Sequence, residues 1–224
     1  MNAVLINNDV SLMAMLASAA LLPFLVAVGT CYIKFTVVFT LIRNALGLQQ
    51  VPSNMVINAL SLILAFYVMH PIINGIHGHY VEQQPALGSV SEVAGFLDGS
   101  LADYRAYLAR HADRDLLAFF ERAQQREDGQ ALAVLDPQDR SLFALLPAYA
   151  LSELKDAFLI GFYLYLPFVV VDLIVSAILL SLGMMMMSPV TISAPIKLIL
   201  FVLLDGWSLL SQGLVLQYLD VPPV

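Results

Sequence analysis

Charge is the scarcest property of this chain. Asp, Glu, Lys and Arg make up 12% of its 224 residues, about half the share of an ordinary soluble domain. Bases are scarcer than acids, ten Lys and Arg against 17 Asp and Glu, for a net charge of −7. That balance argues against a nucleic-acid partner, because neutralising phosphates takes a basic surface. Cysteine is nearly absent. One Cys, Cys31, excludes an intrachain disulfide and a Cys-rich metal site. Lying inside an apolar run, Cys31 reads as a small buried hydrophobe. The chain also lacks a Gly-rich phosphate loop, a GxSxG elbow and an HExxH helix. No catalytic constellation stands in their place, so no enzymatic activity and no cofactor are expected. His77 and His79 have no third ligand near them in sequence, so no metal site is expected. With His70 they read as interfacial side chains.

What the chain has is apolar length. Hydrophobic residues make up 60% of it, gathered into four runs: Met13–Ile42, Met55–Ile76, Ala157–Met187 and Val190–Leu216. Each exceeds the ~20 residues that cross a bilayer core. The first and third would be about 45 Å long as straight helices, longer than a ~30 Å hydrocarbon core, so tilt, breaks or protrusion are expected. Pro23 and Pro167 are the natural kink sites. The first run is too long, and its leading residues too poor in Lys and Arg, for a cleaved signal peptide.

Between the two pairs of runs, Tyr80–Ser141 holds 17 of the 27 charged residues. The plan is therefore an apolar hairpin over 1–79, a polar helical lobe over 80–141, and an apolar hairpin over 142–224. Ser89 and Glu92 have capping-box spacing. Leu97, Leu101, Tyr104 and Leu108 recur at helical spacing. Asp113 can cap a second helix whose face carries Leu116, Leu117, Phe120 and Ala123. Arg43 lies in the short connection between the first two runs, which the positive-inside tendency places in the cytoplasm, with the lobe and both termini opposite. Lys155 at the edge of the lobe counts against it.

Two features invite a role. Lys34, Asp172, Lys197 and Asp205 lie within apolar runs, where an uncompensated charge costs roughly 2.5–3.5 kcal/mol. They must pair, line water or leave the hydrocarbon. Lys197 and Asp205 are two turns apart, too far for a direct bridge on one straight helix, so partners must come from other helices or other subunits. Structural pairing is favoured over a proton or ion relay, because no run of Asp, Glu and His follows one helix face. The second feature is "GMMMMSP", Gly183 to Pro189. Four consecutive residues sweep all sides of a helix, so the flanking Gly183 and Ser188-Pro189 point to a loop or helix end. Met adapts its shape to irregular neighbours. Converging loops from several copies would make a deformable apolar collar. Gap-filling between packed helices is the alternative that the residues leave open.

"RNALGLQQVPSN" (Arg43–Asn54), "FALLPAYALSELKDAFLIGF" (Phe143–Phe162) and "LPFVVVDLIVSAILLSLGMMMMSPVTISAPIKLILFVLLDGW" (Leu166–Trp207) strongly resemble the SctR/FliP family of type III secretion and flagellar export components. The resemblance covers nearly the whole chain, is weakest in 80–140, and is closer to the injectisome branch than to the flagellar one. It departs at Leu159, where many relatives carry a base. It implies an all-α, membrane-associated subunit with a periplasmic lobe. Five copies would assemble with SctS-like and SctT-like subunits and other secretion-base components into a helical cone at the bacterial inner membrane, raised towards the periplasm. Such a cone would house Lys34, Asp172, Lys197 and Asp205 away from lipid. The resemblance also implies that Met184, Met185, Met186 and Met187, on a loop fixed by Gly183 and Pro189, form a gasket closing a pore for unfolded polypeptides. The rival readings are an ion-coupled transporter with a midplane site at Asp172, Lys197 and Asp205, and a scaffold that only nucleates the secretion base.

Overall fold

The computed structural model describes residues 23–83, 101–128 and 140–219, together with single residues at 16, 20 and 99. Every regular element among them is a helix. In chain order these are α1 (Pro23–Gly29), α2 (Tyr32–Ala45), α3 (Asn54–Gln83), α4 (Ala102–His111), α5 (Arg114–Asp128), α6 (Leu142–Ser181), α7 (Pro189–Leu203) and α8 (Gly206–Leu216). The helix α6 is the spine, and α2, α4, α5 and α7 all pack against it. Its 40 residues make a rod about 60 Å long, twice a hydrocarbon core.

Two apolar runs are broken into bent pairs of helices, a break being expected for the first of them. The axes of α1 and α2 meet at 77° and those of α7 and α8 at 61°. Among the described residues the first bend falls at Gly29–Cys31; the residues just before Pro23 lie outside them. A close approach explains the place: the Tyr104 hydroxyl of α4 donates to the Gly29 carbonyl at 2.8 Å, and a Cβ on Gly29 would sit 2.3 Å from that oxygen. Pro167 lies inside α6 without ending it. By length and composition α3 and α6 can each cross a membrane, and each bent pair can supply one more span.

The main core joins Cys31, Phe35, Val38 and Phe39 of the first hairpin to Ala157 of α6 and Leu214 and Val215 of α8. Cys31 is fully buried, as its apolar setting suggested. Gly161 lets α2 approach α6, since a Cβ there would stand 2.2 Å from Leu41 Cδ1 and 3.2 Å from its Cβ.

The lobe shares a core with the start of α6. Leu108, Ala112 and Leu117 are buried against Leu145, Ala148 and Tyr149, with Leu116 and Phe120 alongside. Ala123 is exposed and does not join them. The Asp113 Oδ1 accepts from the amides of Asp115 (2.9 Å) and Leu116 (3.5 Å), which is the expected N-terminal cap of α5. Ser89, Glu92 and Leu97 lie outside the described residues.

Candidate functional site

The methionine loop is built by the way α6 stops. Leu182 ends the helix and Gly183 takes φ +75°. The Met184 amide then reaches the Leu179 carbonyl (3.0 Å) and the Gly183 amide that of Leu180 (3.1 Å). This pair of bonds is a Schellman motif, which satisfies helix-end carbonyls and favours Gly at the left-handed position. Pro189 opens α7 at its first turn, where its missing N–H costs nothing. The chain turns back over the seven residues 182–188, so the methionines lie at the tip of the hairpin. All four are exposed, Met185 at 79% and Met186 at 101%. Within one chain they fill no gap.

Below the tip, α6 and α7 are joined by charge. Lys197 Nζ lies 2.5 Å from Asp172 Oδ2 and donates to the Ala45 carbonyl at 3.0 Å. The other carboxylate oxygen, Asp172 Oδ1, accepts from the Ser193 hydroxyl at 2.6 Å. The lysine is buried and the aspartate about one-third exposed. Lys197 therefore ties the end of α2, α6 and α7 together. Asp205 takes no part in this pair. It is exposed at the α7–α8 break with φ +50°, where its Oδ1 accepts from the Ser208 hydroxyl at 2.9 Å.

The model of the FliP family matches residues 15–214 of this sequence. The chain belongs to the FliP family. It is 57% identical over 215 residues to the surface presentation of antigens protein SpaP of Shigella flexneri, covering 96% of this chain and 99% of that one. It is 44% identical over 211 residues to the Yop proteins translocation protein R of Yersinia pestis, covering 94% and 97%. It is 41% identical over 210 residues to the hypersensitivity response secretion protein HrcR of Ralstonia nicotianae, covering 93% and 96%.

This FliP-family chain holds a second buried charge site that the apolar runs did not reveal. Lys34, 5% exposed, stands 3.2 Å from Oε1 of Glu153, itself 1% exposed. The approach is close enough for ion pairing but off the line of a hydrogen bond, because Oε1 has no hydrogen-bond partner. The Lys34 ammonium instead donates to Asp156 Oδ2 at 3.4 Å and lies 4.8 Å from the centre of the Tyr218 ring. The Tyr218 hydroxyl donates to Glu153 Oε2. Glu153 and Asp156 sit just before the third apolar run, which begins at Ala157. Only the upstream start of α6 at Leu142 brings them level with Lys34.

At the lobe, Lys155 donates to Asp113 Oδ2 at 2.7 Å. That bond, with the Asp115 and Leu116 amides, holds the Asp113 carboxyl below its ordinary value of 3.8. Tyr107 shares a hydrogen bond with Tyr149 at 2.9 Å, and burial pushes its phenol well above the usual range. Arg43 is not a free loop charge. It is buried in the last turn of α2 and donates to Asn54 Oδ1 (2.6 Å) and the Pro52 carbonyl (3.2 Å). It closes the α2–α3 connection, which weakens it as an orientation marker. His70, His77 and His79 all lie on α3, and among the described residues no group of His, Cys, Asp and Glu could hold a metal.

Proposed function

We propose that this protein is the pore-forming export-gate subunit of a type III secretion system. Its family and relatives make it a component of that export apparatus. The single observation that supports the gate is the methionine hairpin tip: four adjacent apolar side chains, all exposed, on a turn pinned by Gly183 and Pro189. Exposed apolar surface of this kind marks an interaction site. Several copies around an axis bring these tips together. In the proposed assembly five copies join SctS-like and SctT-like subunits and other secretion-base components in the bacterial inner membrane, with the lobe on the periplasmic side. The length of α6, about 60 Å and twice a hydrocarbon core, suits a packed cone of helices rising out of the bilayer better than four lipid-bound spans.

The collar works through the shape of methionine. A ring of Leu or Phe would seal and resist a bulky chain. A ring of Ala would pass the chain and leak. Met changes rotamer at small cost, so it fills the axis at rest and yields to any passing side chain. The same property makes the gate indifferent to substrate sequence. The test is small-solute leakage into cells carrying the assembled complex. Replacing Met185 and Met186 by Ala should raise leakage while complex yield is kept. Unchanged leakage with assembly intact would return the methionines to a packing role. Unchanged secretion together with unchanged leakage, with assembly intact, would favour a scaffold.

A further inference from the structure

The sulfur of this chain is unevenly placed. Its one thiol, Cys31, is fully buried, out of reach of a dissolved reagent. Among the described residues, Met69 is buried on α3, Met55 stands exposed at the start of α3, and four methionines are exposed side by side at the hairpin tip, Met185 and Met186 most of all. Oxidation at sulfur follows exposure. The tip is thus the richest accessible thioether site among the described residues. Its turn also holds together without the side chains. The bonds are backbone bonds: the Met184 amide to the Leu179 carbonyl at 3.0 Å, the Gly183 amide to that of Leu180 at 3.1 Å and the Met187 amide to that of Met184 at 3.3 Å. The flanking hydroxyls of Ser181 and Thr191 already donate to backbone carbonyls, at 2.7 Å each, so a new oxygen at the tip is served chiefly by water.

We propose that Met185 and Met186 are an oxidation site, and that methionine sulfoxide at these positions unseals the collar. The reagent is a hydroperoxide, and the reaction is a two-electron oxidation. A sulfur lone pair attacks one peroxide oxygen, so the S–O bond forms as the O–O bond breaks. The proton on the transferred oxygen passes to the departing one, and hydrogen peroxide gives sulfoxide and water. Sulfur is oxidised and the peroxide reduced. A thioether is a weak acceptor, whereas the sulfoxide is polar and disrupts Met-rich contacts. An apolar constriction closes by excluding water. Sulfoxide oxygens on the same ring hold water across the axis, so small solutes pass while the turn keeps its fold. The effect on sealing rests on the reading of the tip as a collar. The oxidation of the tip rests only on its exposure.

The test uses membrane vesicles that carry the assembled native complex and enclose a small solute. After treatment with hydrogen peroxide, peptide masses should show added oxygen at Met185 and Met186 while Met69 stays unmodified. Leakage of the solute should rise several-fold over untreated vesicles. Met185→Leu with Met186→Leu keeps the tip apolar and removes the two sulfurs, and should abolish most of that rise. Met55→Leu should leave the rise intact, because Met55 lies on α3 and not at the tip. Unmodified Met185 and Met186 beside an oxidised Met55, sulfoxides at the tip without added leakage, or a full rise in the double leucine variant would each overturn the proposal. Vesicles with Met185→Ala and Met186→Ala, never oxidised, report on the gate separately. If they leak while oxidised wild-type vesicles stay tight, the sulfoxide effect alone fails. If they too stay tight, the collar reading fails with it.

Discussion

Removing Asp172 should damage the protein more than removing Lys197, although the two form one pair. The asymmetry comes from burial. The side chain of Lys197 is 4% exposed and that of Asp172 34%. Asp172→Ala leaves an ammonium in the core with the Ala45 carbonyl at 3.0 Å as its remaining acceptor. Orphaning one member of a buried pair costs about 3–5 kcal/mol. Lys197→Met leaves a carboxylate that water reaches and that Ser193 still serves at 2.6 Å. Solvent screening lowers that loss to about 1–2 kcal/mol. The double variant removes both charges and should recover at least about 1 kcal/mol over Asp172→Ala alone, since contacting residues couple by about 0.5–3 kcal/mol. The assay is the fraction of complex surviving graded heating in detergent, for both single variants and the double. If Lys197→Met costs as much as Asp172→Ala, or the two effects simply add, the pair does not tie α6 to α7 as argued. Asp172→Asn that assembles normally and abolishes secretion would point instead to a relay.

Other outcomes follow from single contacts. Gly161→Ala places a methyl against the Leu41 Cβ and Cδ1 and should cost about 1–3 kcal/mol by overpacking, read as a lower midpoint in the same heating assay. Gly183→Ala forces a Cβ onto φ +75° with open space around it. It should cost roughly 1 kcal/mol and raise solute leakage without loss of complex. The Asp113 cap has a definite pH sign. Its carboxyl is held down chiefly by the Lys155 hydrogen bond, so its contribution is complete above the ordinary carboxylate value and disappears as pH falls through the lowered one. Amide exchange at Leu116 and Leu117 should stay slow at pH 5 and quicken in stronger acid, and Asp113→Asn should remove most of that pH dependence. Tyr218→Phe strips the hydroxyl donor from the buried Glu153 and should lower complex yield.

The sequence alone determined the broad organisation, because hydropathy is additive along a chain. Four apolar runs and a charged middle segment specify helices and a polar lobe wherever they fold. The methionine turn was legible for a local reason: Gly183 and Pro189 act within one or two residues, and a Schellman stop needs no distant partner. Asp113 as a cap was legible in the same way. Charge pairing was legible only as a requirement. That Lys197 must find a counter-ion followed from the cost of burying it, and that the counter-ion is Asp172 followed from how α6 and α7 pack. Lys34 shows the limit, because its partner Glu153 lies 119 positions away at the polar end of a helix whose apolar part drew the attention. The two bends go with close contacts, to Tyr104 of the lobe at the first and to Phe201, five residues upstream, at the second. Gly29 and Gly206 are ordinary glycines in sequence. Each stands at a bend where one ring, Tyr104 or Phe201, occupies the space a side chain would need. Tertiary packing also decides that Asp205 is exposed while Lys197 is buried. Both are single charges in the same apolar run, and only the packing of α7 against α6 and α2 separates the one that is satisfied within the chain from the one that faces outwards.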